Sequence, residues 1–241
     1  MQNGLYVGLS SHIALERRLS TIADNVANMS TVGYRATETK FEDLVSGIGQ
    51  NSVSFVSPGA SYLSDKLGPL RETGNPFDFA IQGDAWFGIE TPAGTVMTRD
   101  GRFTLLDTGQ LVTLEGYPVL DGGGAPIQLD PSEGAPEAGK DGILRQNGNL
   151  AGALGLFDFD PGPNFQRYGN SGIIPSGQPE PIVDRNDAGV AQGFVEDSNV
   201  NPVQEMTRLI MVQRSFENAA AMIRDSENTF DDAIKTLGGT Q

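Results

Sequence analysis

"DNVANMSTVGYRA" (Asp24–Ala36) is the stretch on which the fold turns. Upstream of and into it, Leu15, Leu19, Ile22, Val26 and Met29 recur at spacings of 4, 3, 4 and 3, one apolar stripe of a helix. Inside the stretch that stripe stops. Asn28, Ser30 and Thr31 carry short polar side chains that compete with helical backbone bonds and favour turns. Gly33 supplies a residue able to take a positive φ as the chain reverses, and Tyr34 and Arg35 lead into extended chain. The asparagines are expected to satisfy free carbonyls at the helix end. A valine at Gly33 is expected to disturb this turn, at a cost of about 1 kcal/mol or more, and to leave the β-rich region largely intact.

The other end of the chain carries a longer helix. In "SNVNP", Asn201 is placed as N-cap and Pro202 at the first helical position. Glu205 lies in the first turn, where the helix dipole favours an acid. Met206, Leu209, Gln213, Phe216, Ala220, Ile223, Glu227, Phe230, Ile234 and Leu237 then follow at spacings of 3 and 4, a heptad-type seam of about five heptads that ends at Gly238 and Gly239. At ~1.5 Å per residue this helix is about 54 Å long, and one apolar seam of that length needs a partner.

Between the ends, helical periodicity vanishes. Residues 77–123 alternate short apolar runs with turn pairs at Gly83-Asp84, Ala93-Gly94, Asp100-Gly101, Thr108-Gly109 and Glu115-Gly116, the pattern of an antiparallel meander with Phe77, Phe79, Ile81, Trp86, Phe87, Phe103 and Leu105 as its core. Residues 121–142 read as a Gly/Pro/acid-rich loop, Asn147-Gly148 as a hairpin turn, and residues 161–183 as irregular. The fold class expected is α+β: long N- and C-terminal helices pairing as a coiled-coil-like domain, with an inserted all-β domain.

Composition narrows the chemistry. Net charge is −15, and the ends carry little of it: residues 1–29 balance Arg17 and Arg18 against Glu16 and Asp24, and residues 202–241 hold four cationic and six anionic groups. The acidic middle repels nucleic acid and anionic lipid, whereas the near-neutral ends can pack against copies of themselves. The N-terminus has no basic region followed by an apolar run, so no secretory signal is expected. No run of residues is apolar enough to span a bilayer. With no cysteine and His12 as the single histidine, thiolate sites, His-based triads and multi-His metal sites are excluded. Asp158 and Asp160 alternate with Phe157 and Phe159 as the polar face of a strand rather than as a catalytic acid pair. "DGGGAPIQLD" (Asp121–Asp130) occurs once and reads as a plain loop. No catalytic residue, metal or cofactor is expected. Trp86 and Phe87 read as core, with a sugar-stacking platform as the other reading.

Three separated motifs in one order identify a family. "NVANMSTVGYRA" resembles, at Asn25, Ala27, Asn28, Thr31, Gly33, Tyr34 and Arg35, the N-terminal motif of the bacterial flagellar axial proteins, in particular the basal-body rod proteins. "TGNPFDFAIQGDAWFGIETPAG" followed by "TRDGRF" resembles their strand-rich signature. "SNVNPVQEM" and "VQRSFE" resemble their C-terminal motif at Ser198, Asn199, Val200, Asn201, Pro202, Glu205, Met206, Gln213 and Arg214. Ser30, Ala85-Trp86, Ala219 and Ala221 depart from it. The resemblance implies a non-enzymatic structural subunit of the flagellar rod, exported through the flagellar type III apparatus to the periplasm-crossing shaft. Its partners would be copies of itself and other rod proteins, with no nucleic acid and no membrane insertion.

The layout implied is an axial helix and turn over 1–34, a connector over 35–75, an outer β-rich domain over 76–180, a return connector over 181–200 and a second axial helix over 201–241. Assembly contacts are expected from Leu15, Leu19, Ile22, Asn25, Val26, Asn28, Thr31, Gly33 and Tyr34 at one end. At the other they are expected from Ser198, Asn199, Asn201, Pro202, Met206, Leu209, Gln213, Phe216, Ile223, Phe230 and Ile234. Before assembly the ends are expected to be loosely ordered, so that trypsin leaves a fragment from near Lys40 to near Arg208. The alternative is a secreted, acidic β-rich adhesin or carbohydrate-binding module with a coiled-coil oligomerisation tail, whose ligand face would centre on Trp86.

Overall fold

A computed structural model describes the backbone of residues 2–40, 43–46, 53–56, 59–182 and 188–238, and the side chains of 8–40, 59–182, 188–225, 228, 229, 235 and 236. The chain forms two compact units, one of residues 1–27, 37–61 and 201–241, the other of residues 28–36 and 62–200.

The first unit holds helix α1 (Gln2–Ala27) and helix α2 (Pro202–Gly238), the two helices among the described residues, together with the hairpin of Asp43–Ser46 and Val53–Val56. The expected coiled-coil-like pairing is corrected. The helices do touch: the His12 and Phe216 rings lie 4.2 Å apart, and a Cβ at Gly8 would stand 3.5 Å from Ile223 Cγ1. These contacts run the helices in opposite directions. The seam read from the sequence, however, is not buried as one strip. Met206 and Gln213 are exposed, while Glu205 and Val212 are buried and Leu209, Phe216 and Ile223 are half-buried. Among the described side chains of α1 the buried ones are Ala14, Ile22 and Asn25, and the third is polar. Strand Val53–Val56 also lies against α1. A continuous coiled-coil seam needs apolar a and d positions facing each other along both helices, and this unit divides α1 between a helix and strands. Phe230 and Ile234 fall outside the described side chains.

The second unit is antiparallel β and dominates the fold. Its largest sheet has six strands in the order Gln166–Tyr168, Gly172–Ile174, Gly94–Thr98, Trp86–Thr91, Leu156–Asp158 and Glu180–Pro181. Side chains alternate across a strand, so consecutive Trp86 and Phe87 enter different clusters. Phe87, Ile89 and Val96 join Phe79, Ile81, Phe103, Leu111, Val119 and Ile127 in the main core, with Phe77 and Leu105 packed at its edge. Trp86 joins Met97, Phe157 and Ile173 in a smaller one. Each of these large side chains contributes roughly 1.5–3 kcal/mol when fully buried.

Two short pairings bring the C-terminal part of the unit back to its start: Gly189–Gln192 on Phe79–Gln82, and Phe194–Glu196 on Leu70–Glu72. The stretch read as irregular contains the hairpin Gln166–Tyr168/Gly172–Ile174 and the strand Glu180–Pro181. The stretch read as a loop contains the short strand Glu137–Ala138 and a 3-10 turn at Pro131–Glu133. Of the proposed turn glycines, Gly101 lacks a positive φ. It is required for another reason: a Cβ there would sit 1.7 Å from the carbonyl oxygen of Phe79.

Candidate functional site, a clasp between the two terminal motifs

The N-terminal break and the C-terminal return segment meet inside the β-rich unit. α1 ends at Ala27, and the chain then makes a tight turn in which Thr31 N–H donates to the Asn28 carbonyl (3.1 Å) and the Thr31 hydroxyl to Asn28 Oδ1 (3.1 Å). Gly33 follows with φ +71°. Its N–H donates to the Glu196 carbonyl at 2.7 Å, and a Cβ on it would lie 2.3 Å from Asp100 N. Gly33 is therefore fixed both by the turn and by a close approach to the Arg99-Asp100 backbone. This bears on the expectation that a valine there leaves the β-rich region largely intact, because Asp100 belongs to that region and would meet the added side chain.

Asn199 ties three segments. Its N–H donates to the Tyr34 carbonyl (3.4 Å), its Oδ1 accepts from Ala36 N–H (2.7 Å), and its Nδ2 donates to the Lys66 carbonyl (2.7 Å). Val32, Tyr34 and Ser198 are buried beside it. Ser198 Oγ accepts from Val200 N–H at 3.3 Å. The Arg167 guanidinium lies 4.3 Å from the Tyr34 ring centre and donates to the Arg35 carbonyl at 2.6 Å.

At the centre lie three buried charges that sequence reasoning did not single out as site residues: Arg35, Arg99 and Glu196, each 3% exposed or less. Arg99 donates through Nε to Glu196 Oε2 at 2.6 Å and through its terminal nitrogens to the carbonyls of Ile81, Gly83 and Ala85. Glu196 Oε1 accepts from Gly68 N–H at 2.9 Å and stands 3.6 Å from Arg35 Nε. Arg35 also donates to the Ser64 carbonyl at 3.3 Å, and its guanidinium lies 5.5 Å from the Trp86 ring centre. One carboxylate thus faces two guanidiniums in a site removed from water. Arg35 is held below the ordinary arginine value by burial first and by the positive charge of Arg99 next, with Glu196 opposing both. Arg35 stands in the N-terminal motif and Arg99 in the "TRDGRF" stretch, but nothing local in the sequence shows that Glu196 joins them.

The remaining expected site residues belong to the helical unit. Asn25 donates through Nδ2 to the Thr37 carbonyl (3.0 Å) and accepts through Oδ1 from Thr37 N–H (2.9 Å), a two-point bond that fixes the first residue of strand Thr37–Lys40. The asparagines of the break are therefore engaged with the following chain rather than with the helix-end carbonyls alone. Asn201 caps α2: its Oδ1 accepts from Gln204 N–H at 3.1 Å, its carbonyl accepts from Glu205 N–H at 3.0 Å, and Pro202 stands at the first helical position. Glu205 is buried and accepts from Arg208 Nη1 at 2.6 Å. Leu15, Leu19 and Val26 are half-buried, Ile22 is buried and Met29 exposed. Trp86 is 3% exposed and packs edge-on against Phe159, so its ring offers no open platform to a sugar. No group of metal-ligating side chains occurs among the described residues, and no described helix is long and apolar enough to cross a membrane.

Three regions match families of flagellar proteins, in chain order. Residues 5–35 match "Flagella basal body rod protein", residues 80–148 match "Flagellar hook protein FlgE/F/G D1 domain", and residues 191–236 match "Flagellar basal body rod FlgEFG protein C-terminal". The chain is similar to the flagellar basal-body rod protein FlgF of Mesorhizobium japonicum, with 69% identity over 99% of both chains. It is similar to that of Rhizobium meliloti at 56% identity over the full length of both. It is 30% identical to the flagellar basal-body rod protein FlgG of Bacillus subtilis, over 97% of this chain and 98% of the other. Gly33 and Arg35 fall in the first matched region, Arg99 in the second, and Glu196, Asn199 and the capped start of α2 in the last, and the chain belongs to the flagellar basal-body rod protein family, structural proteins of the bacterial flagellum, alongside its FlgF members.

Proposed function

We propose that the chain is a non-enzymatic structural subunit of the basal-body rod that assembles through α1 and α2 with copies of itself and with other rod proteins. The observation that carries this reading is a second apolar face on α2. Glu205, Leu209, Val212, Phe216 and Ile223 form one side, buried or half-buried within the subunit. Val203, Met206 and Ile210 lie roughly 100–160° round the helix from Glu205, and they are 76%, 46% and 53% exposed. An exposed apolar strip of this kind on a capped, regular helix is covered by a neighbour, and a contact between different patches on successive copies, with a rotation that does not close, builds an open-ended filament rather than a closed dimer. In this reading Met206 and Gln213 face neighbouring subunits. Export through the flagellar type III apparatus and a place in the periplasm-crossing shaft and channel belong to the same proposal. The adhesin reading has lost its ligand face with the burial of Trp86.

Replacement of the chromosomal copy by Ile210→Asp tests it. The purified variant is expected to melt like the parent, because Ile210 is exposed, while the bacteria fail to swim and isolated basal bodies lack a complete rod. Normal swimming with Ile210→Asp and with Met206→Asp would overturn the proposed contact.

A further inference from the structure

We infer that the contact between residues 28–36 and residues 196–200 is a separable intramolecular lock whose keystone is Glu196. On this inference the N-terminal segment leaves the β-rich unit as one piece, ahead of the core, when that carboxylate is replaced by a neutral side chain. The inference concerns the single chain and holds whether or not copies associate.

Three observations carry it. First, the backbone of the segment is tied down by polar contacts. Gly33 N–H bonds the Glu196 carbonyl, Ala36 N–H bonds Asn199 Oδ1, and Ser64 N–H bonds the Ala36 carbonyl at 2.8 Å. The large apolar side chains it buries, Val32 and Tyr34, belong to neither hydrophobic cluster. Loss of the segment therefore leaves Phe79, Phe87, Phe103, Leu111 and Val119 packed as before.

Second, Glu196 is the carboxylate that pairs with both guanidiniums of the lock. Arg99 keeps the carbonyls of Ile81, Gly83 and Ala85 without Glu196. Arg35 has less support: it donates to one carbonyl, that of Ser64, its Nε and Nη2 are buried without a hydrogen-bond acceptor, and Glu196, at 3.6 Å, is the foremost of the carboxylates that favour its charge, ahead of Asp84 and Asp65. With a neutral side chain at 196, two guanidiniums share a dry site. Arg35, the less anchored of the two, is the one driven out. Third, Arg35 leads out the segment, so its departure takes Tyr34 and Gly33 with it.

The full-length protein reports the lock in two ways. Trp86, the single tryptophan, lies beneath the Arg35 guanidinium, and the peptide bond after Arg35 is shielded from trypsin while Arg35 is buried. In Glu196→Gln, cleavage after Arg35 is expected to accelerate about tenfold or more, with a shift in Trp86 emission. Cleavage after Arg99 and amide exchange at Leu111, Val119 and Ile127 should stay at parental rates. Asn199→Ala removes two side-chain bonds and leaves the charges in place. It should produce the same pattern more weakly, and it supplies the reading if Glu196→Gln does not fold. Unchanged cleavage after Arg35 in both variants overturns the keystone. Acceleration at Arg35 and Arg99 together overturns separability, because the segment then opens only when the whole unit does.

Discussion

Gly33 shows how one residue can answer to two constraints, and only one of them is written nearby. Its positive φ follows from local pattern, since a helix that stops among Asn, Ser and Thr needs a residue free to reverse the chain. Its contact with Asp100 comes from far along the sequence, and no spacing rule announces it. Gly94 separates the two effects, because it also has a positive φ, +98°, yet a Cβ there would meet nothing within 4 Å. Gly94→Ala is expected to cost about 1 kcal/mol, the conformational share alone. Gly33→Ala adds overlap with the Asp100 backbone, a further ~1–3 kcal/mol typical of overpacking. Urea unfolding followed by Trp86 fluorescence measures both. Equal midpoints for the two variants would mean that Asp100 yields freely and the close approach restrains nothing. The buried charges were hidden in the same way as the Asp100 contact. Arg35, Arg99 and Glu196 read individually as ordinary charged residues, and their meeting depends on long-range placement, such as the pairing of Phe194–Glu196 with Leu70–Glu72, that no periodicity encodes.

At the level of elements, legibility followed the strength of the local signal. The hairpin at Asn147-Gly148 was plain, because a two-residue loop with φ of 48° and 79° is what Asn-Gly favours, and the strands pair Gln146 with Asn149. The start of α2 was equally plain from Asn201 and Pro202. The hairpin of Gln166–Tyr168 and Gly172–Ile174 was missed, since three-residue strands flanked by proline and glycine leave no alternation to count. The phase of α2 was half legible. From Leu209, a step of 3 reaches Val212 and a step of 4 reaches Gln213. Both satisfy a helical stripe, and the choice is made by α1 and the rest of its unit. Val212 is 5% exposed whereas Gln213 is exposed and donates to Glu217 Oε1 at 3.4 Å. Val212→Asp should therefore remove ~1.5–3 kcal/mol of apolar burial and add the cost of a buried charge, and Gln213→Asp should stay within about 0.5 kcal/mol of the parent. Thermal melting of the helical circular dichroism distinguishes them. An equal loss from both would return the seam to the phase first read from the sequence.

For the whole molecule, two units of unequal core predict two transitions. Among the described side chains of the helical unit, the buried hydrophobics are Ala14, Ile22 and Val212, while the β-rich unit buries a cluster of fifteen residues and a second of four. Ordering each residue costs roughly 1–2 kcal/mol, so helices of 26 and 37 residues with so little burial among their described side chains are expected to open first. Ellipticity at 222 nm reports α1 and α2, and Trp86 emission reports the β-rich unit. In urea the first signal should fall at lower concentration than the second.

Trypsin should follow the same order, with one change from the sequence-based fragment. Arg17 and Arg18 are exposed on α1, and Arg208, Arg214 and Arg224 on α2, but Arg35 is 3% exposed inside the β-rich unit. The early cuts should therefore fall after Arg18 and after Lys40, which is exposed in the helical unit, and the peptide between them should stay bound to the β-rich unit through residues 28–36. A fragment beginning at Ala36 would mean that residues 28–36 are not held in the β-rich unit. Coincident urea transitions would mean that the two units unfold as one.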